Sequence, residues 1–113
     1  MLDSREIAKL KSLMKREDER LPIVFSALSD LNRCQIFRSF LKRPRLCVSD
    51  IAKTFDISMS LASQHLKVLE ITGLLRREKE GRTVYYSPRT DDELVRTIIE
   101  AVNSPHAQHH AAR

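Results

Sequence analysis

Residues 48–72 read VSDIAKTFDISMSLASQHLKVLEIT, and the spacing of their apolar side chains decides the fold. Val48, Ile51, Ala52 and Phe55 recur at i, i+3, i+4 and i+7, the single stripe of a short buried helix. Phe55, Asp56 and Ile57 make a brief turn, after which Ser58 can cap a second helix running to about Thr72, with Gly73 placed to stop it. Helix, tight turn, helix is the arrangement that lays its second helix in the major groove of DNA. At about 100° per residue, Ala62, Leu66 and Leu69 of that second helix gather on one side. Ser60, Ser63, Gln64 and Lys67 gather on the other. The outward set holds two hydroxyls, an amide and a cation with no acid, as a surface meeting phosphates and base edges requires. An ordinary solvated face mixes Glu with Lys. Met59 and His65 fall between the two sides, within reach of the groove edge, and the free N–H groups behind the Ser58 cap suit a phosphate.

Outward from this stretch the pattern stays helical on the N-terminal side. Ile7, Leu10, Leu13 and Met14 mark an amphipathic helix from Ser4 to about Arg16. Pro22 suits the first turn of a second, to about Leu28, with Val24, Phe25 and Leu28 inward. Ser29 or Asp30 caps a third, to about Lys42, with Cys34, Phe37, Phe40 and Leu41 on its apolar side and Pro44 ending it.

On the C-terminal side, Leu74 to Arg77 and Arg82 to Ser87 pair as strands about a tip of Glu78-Lys79-Glu80-Gly81. Thr90-Asp91-Asp92-Glu93 reads as a capping box opening a last helix to about Asn103, closed by Ser104-Pro105. The expected fold is mainly α with a β-hairpin wing, a winged helix-turn-helix in the order α-α-α-α-α-β-β-α. One domain spans 1–105, and the His- and Ala-rich tail 106–113 lacks periodicity and is expected to be disordered.

Charge agrees with a polyanion partner. Of the net +5, residues 33–89 hold 12 Lys/Arg against 5 Asp/Glu, while residues 1–32 balance at 6 each and residues 90–113 hold 2 against 4. A basic middle between neutral and acidic ends points to one nucleic-acid-facing surface. On the hairpin, Arg76, Arg77, Lys79 and Arg82 can flank the groove, and Arg82 after Gly81 can enter a narrow minor groove. Glu78 and Glu80 dilute that charge.

Other function classes find little support. No apolar run approaches the roughly 18 to 20 residues of a membrane span, and Asp3, Arg5 and Glu6 interrupt any secretory signal, so a cytoplasmic location is expected. Two cysteines without CxxC spacing make neither a disulfide framework nor a local metal knuckle. Paired acids, a nucleophile with its base and a Gly-rich phosphate loop are all missing from any plausible arrangement, with two glycines in the whole chain, so the chain reads as neither an enzyme nor a cofactor binder. A winged helix serving protein contact without sequence-specific DNA binding stays open beside the regulator reading.

The runs Phe25 to Arg33, Leu46 to Ala52, Ser58 to Leu69, Gly73 to Leu75 and Gly81 to Ser87 together resemble the ArsR/SmtB family of bacterial winged-helix repressors, over about residues 21–103. The resemblance implies a homodimer joined through first and last helices, bound to double-stranded DNA at an inverted-repeat operator until a signal weakens the complex. The apolar faces of the terminal helices support the dimer independently, since they exceed what so short a chain readily buries alone. The resemblance also directs attention to sensor positions. Cys47 matches the first thiol of the family's cysteine pair, but Ser49 stands at the second, and the last helix carries Asp92 followed by Leu94 where a histidine-containing set would start. No metal site is therefore expected in the domain. Cys47, at a helix start beside arginines, is a candidate for redox or metal sensing. His106, His109 and His110 could hold a divalent ion in the tail, and Cys34 reads as a packed thiol.

Overall fold

The computed structural model describes residues 1–15 and 19–103. Six helices and three strands follow in the order α1 (Ser4–Met14), α2 (Arg20–Ser29), α3 (Leu31–Lys42), β1 (Leu46–Cys47), α4 (Val48–Phe55), α5 (Met59–Ile71), β2 (Leu75–Glu80), β3 (Thr83–Pro88) and α6 (Glu93–Val102). This is the winged helix-turn-helix expected from the sequence, with one strand added. β1 pairs antiparallel with β3, Leu46 opposite Tyr86 and Cys47 opposite Tyr85, giving a three-stranded sheet of order β1-β3-β2. Two residues are too few to show a period of two, so the pattern could not reveal it.

Local chemistry sets the helix limits. Asp3 and Glu6 form a reciprocal capping box at the start of α1, with Glu6 N–H donating to Asp3 Oδ1 at 2.8 Å and Asp3 N–H to Glu6 Oε2 at 3.2 Å. Asp30 caps α3 through Arg33 N–H at 3.0 Å, and Ser58 caps α5 through Leu61 N–H at 3.0 Å. α4 closes on Asp56 in the left-handed region (φ 54°), with Ile57 N–H returning to the Ala52 carbonyl. α5 closes on Gly73 (φ 86°), whose neighbour Leu74 donates back to Leu69, the Schellman arrangement. α6 starts two residues later than the capping-box reading had it: Asp92 is the cap, accepting from Leu94 N–H at 2.9 Å.

The core lies where α3, α4, α5 and the sheet base converge. Ile36, Phe37, Phe40, Ile51, Leu66, Leu69, Leu74 and Leu75 are fully buried, with Val24 and Val95 closing it from α2 and α6. Two assignments of face change. On α2 it is Ala27 that is buried with Val24, while Phe25 stands 55% exposed, and on α3 Ile36 displaces Cys34 and Leu41, which are half-buried. α1 buries nothing: Ile7, Leu10, Leu13 and Met14 are all exposed. No helix among the described residues is long and apolar enough to cross a membrane. The tail histidines, Ser104-Pro105 and the expected end of the first helix at Arg16 lie outside the described residues.

Candidate nucleic-acid interface

α4 and α5 cross through a turn of three residues, Asp56-Ile57-Ser58, and the burial of α5 divides its circumference as its sequence does. Ala62, Leu66 and Leu69 are fully buried, whereas Ser60, Ser63, Gln64 and Lys67 are exposed along the opposite side. Ser58 is exposed at the cap, and Met59 is 54% exposed beside it. His65 departs from the expectation. It is 8% exposed and belongs with the core side rather than between the two sides, being three residues after Ala62 and four before Leu69, the helical spacing that brings side chains onto one face. The Arg33 amide, and after it the Arg33 charge with a smaller contribution from His65, hold the Asp30 carboxyl below its ordinary value. His65 is accordingly no part of the outward surface.

The hairpin register resolves the dilution of the wing charge. Leu75, Arg77 and Lys79 lie opposite Pro88, Tyr86 and Val84, on the sheet face that carries the buried residues. Arg76, Glu78 and Glu80 lie opposite Ser87, Tyr85 and Thr83, on the other face. Both wing acids therefore share one face, and Arg77 and Lys79 share the other. Arg77 borders a cleft of about 270 Å³ with Ser63, Lys67 and Glu70 of α5 and Val84 and Tyr86 of β3, so the helix surface and the basic wing face are continuous. Burial and Glu70 push the Tyr86 hydroxyl above its ordinary value, Arg77 opposing them. Arg76 does not flank this cleft; it turns to Asp91 at 2.8 Å on the outer face.

The first strand of the hairpin runs three residues further than expected, to Glu80, and the second starts one residue later, at Thr83, which reduces the tip to Gly81-Arg82. Gly81 has φ 63° and Arg82 does not share the positive φ, the pattern of a type II′ turn, which matches the twist of the strands it joins. Arg82 is exposed at the apex. One contact on the outer face had no signal in the sequence. Arg45, in the loop before β1, lies over the Tyr85 ring and pairs with Glu80.

Residues 30–77 match the model of the bacterial regulatory protein, arsR family. The chain is 39% identical over 90 residues to the cadmium resistance transcriptional regulatory protein CadC homolog of Staphylococcus aureus, covering 80% of this chain and 73% of that protein. The chain belongs to the arsR family. Among other arsR-family relatives, the arsenical resistance operon repressor of Bacillus subtilis is 33% identical over 75 residues, 66% of this chain and 70% of that one. The crystal structure of the transcriptional regulator HlyU from Vibrio vulnificus superposes with a TM-score of 0.69 at 29% identity, over 85% of this chain and 96% of that chain. As an arsR-family member the protein is a DNA-binding transcriptional regulator, a repressor by its kinship, and the reading as a protein-contact module falls away. The family is one of regulators rather than enzymes.

The sensor position named by the family pattern has its own chemistry here. Cys47 is the N-cap of α4; its N–H donates to Asp50 Oδ2 at 2.9 Å and its Sγ lies 3.4 Å from Ser49 Oγ. The Cys47 amide, and after it the thiol, hold the Asp50 carboxyl below its ordinary value. A soft cation needs a second thiolate, and this position supplies a hydroxyl and a carboxylate already engaged in capping, which does not fit that ligand set. Among the described residues, no three His, Cys, Asp or Glu side chains come together as a possible metal site.

Proposed function

We propose that the protein acts in the cytoplasm as a homodimeric repressor that binds an inverted-repeat operator, laying α5 in the major groove and the wing along the flanking minor groove, until a signal weakens the complex. The observation that carries this reading is the exposed, acid-free set Ser60, Ser63, Gln64 and Lys67, continuous with Arg77 of the wing. Gln64 and Ser63 suit base edges, Gln as a paired donor and acceptor toward adenine, while Lys67 and the Ser58 cap suit phosphates. Arg82 at the apex suits a narrow minor groove, where negative potential is enhanced.

Dimerisation through α1 and α6 is supported by what one chain leaves uncovered. All four large apolar side chains of α1 are exposed, and Leu94, Ile99 and Val102 of α6 are half-buried. Two such copies place two α5 helices on one side of a dyad, and a palindromic site mirrors that symmetry. Selection of bound fragments from random duplexes, repeated with and without divalent metals or peroxide, tests the reading. A two-fold symmetric consensus, bound with an affinity that falls steeply with salt, is the expected result. Equal binding to every duplex would overturn it.

A further inference from the structure

Arg45 leaves the chain immediately after Pro44 and before β1, on the far side of the sheet from the recognition helix. Its guanidinium carbon lies 3.7 Å from the centroid of the Tyr85 ring, and its Nη2 is ion-paired with Glu80, 35 positions along the chain. Tyr85 and Glu80 share the outer face of the hairpin, and Glu80 is the last strand residue before Gly81-Arg82. One side chain thus ties the end of the ribbon to the loop that leads into α4. A guanidinium suits this geometry because its plane stacks on an aromatic ring while its edge still offers donors to a carboxylate.

We propose that Arg45 is a positioning residue for the wing: stacked on Tyr85 and paired with Glu80, it fixes the direction of the hairpin tip and offsets the acid beside it, so that Arg82 is presented to DNA. A two-stranded ribbon is weakly stable by itself, and an unbalanced Glu80 would set a negative charge two residues from the cation that meets the minor groove. The inference rests on the reading in which the wing faces DNA.

The test compares the full-length protein with Arg45→Ala, Arg45→Lys, Arg82→Ala and the Arg45→Ala/Arg82→Ala pair. Each is titrated with the selected operator duplex across a salt series, with amide 15N heteronuclear NOE values recorded at Gly81 and Arg82. Arg45→Ala is expected to weaken binding roughly three- to tenfold, the scale of one stacked and paired cation at an exposed site. It should also lower the NOE at both tip amides. Arg45→Lys, which keeps the charge but not the stacked fork, should restore less than half of the loss on a logarithmic scale. In the Arg82→Ala background, Arg45→Ala should change affinity by less than about twofold, because its effect passes through Arg82. Additive losses with unchanged tip amides would overturn the proposal in favour of a direct phosphate contact by Arg45. Wild-type binding by Arg45→Ala while Arg82→Ala is impaired would overturn it and leave the wing on DNA. An Arg82→Ala protein that binds like wild type would remove the wing from the interface, and the proposal with it.

Discussion

Arg20 Nη1 lies 2.6 Å from Asp92 Oδ2, joining the first residue of α2 to the cap of α6 across 72 positions of chain. The guanidinium holds the Asp92 carboxyl down at about 2, against an ordinary 3.8, and the amide of Leu94 works the same way. A carboxyl whose value is depressed on folding contributes stability that is complete well above 3.8 and is lost as pH falls through about 2. Arg20 is half exposed, so solvent screening reduces the effect. Arg20→Ala should lower the unfolding free energy by about 1 kcal/mol at pH 7. In urea melts the gap to wild type should be smaller at pH 3 than at pH 7. A gap unaffected by pH would mean that Arg20 acts through packing instead.

Exposed side chains of α5 should separate into two kinds by their response to salt and sequence. Ser63→Ala with Gln64→Ala should bring operator affinity close to that for unrelated duplexes, with the salt slope nearly unchanged. Lys67→Ala should weaken binding to all duplexes alike and reduce the salt slope by about 1. Anisotropy titrations over several salt concentrations distinguish these outcomes. Loss of sequence preference in Lys67→Ala would move that residue from phosphate to base.

The turn between α4 and α5 depends on Asp56 holding a left-handed conformation at φ 54°. Asp56→Gly should therefore be neutral or slightly stabilising. Asp56→Val, β-branched in a region such residues avoid, should cost about 1–2 kcal/mol. Thermal melting of the two variants tests this, and equal Tm values would show that the turn relaxes without strain.

Most of the fold was legible because its helices carry their period and their stops in the chain. The apolar spacing of Val48–Phe55 marks the true limits of α4, and Gly73 ends α5 as its position suggests. What escaped depends on partners distant in sequence. β1 exists because Leu46 and Cys47 find Tyr86 and Tyr85, and nothing in two residues announces that. Helical spacing alone points Phe25 and Cys34 inward, yet which flank of an apolar stripe is covered depends on where the neighbouring helix crosses. Of the candidate interface, the exposure of Ser60, Ser63, Gln64 and Lys67 on α5 is legible in the helical spacing, whereas His65 lies on the buried side. The segregation of Arg77 and Lys79 from Glu78 and Glu80 follows from strand alternation once the register is known. Arg45 had no local signal, since its partners are on two other strands.

Cys47 should behave as a capping residue. Its amide is bound by Asp50, its thiol lies beside Ser49, and the residue is half-buried. Cys47→Ser keeps a preferred N-cap type, so in reducing buffer its stability should stay within about 0.5 kcal/mol of wild type. Operator binding should be the same for both proteins before and after mild peroxide. Loss of wild-type binding after peroxide, spared in Cys47→Ser, would instead assign the thiol a sensing role.

The strongest demand on assembly comes from α1. An isolated helix of this length is marginal in water, and no residue of its 11 is buried within the chain, although Ile7, Leu10, Leu13 and Met14 form one apolar face. If a second copy covers that face, Leu10→Glu with Leu13→Glu places two charges where a dry contact must form, a substitution an exposed helix would tolerate. The variant should run as a monomer in analytical ultracentrifugation at concentrations where wild type is dimeric. Its helical ellipticity should fall by about the share of α1, and its operator affinity should drop far more than its affinity for a single half-site, because bivalency is lost. A variant that remains dimeric with wild-type operator binding would remove α1 from the interface and leave α6 to carry it.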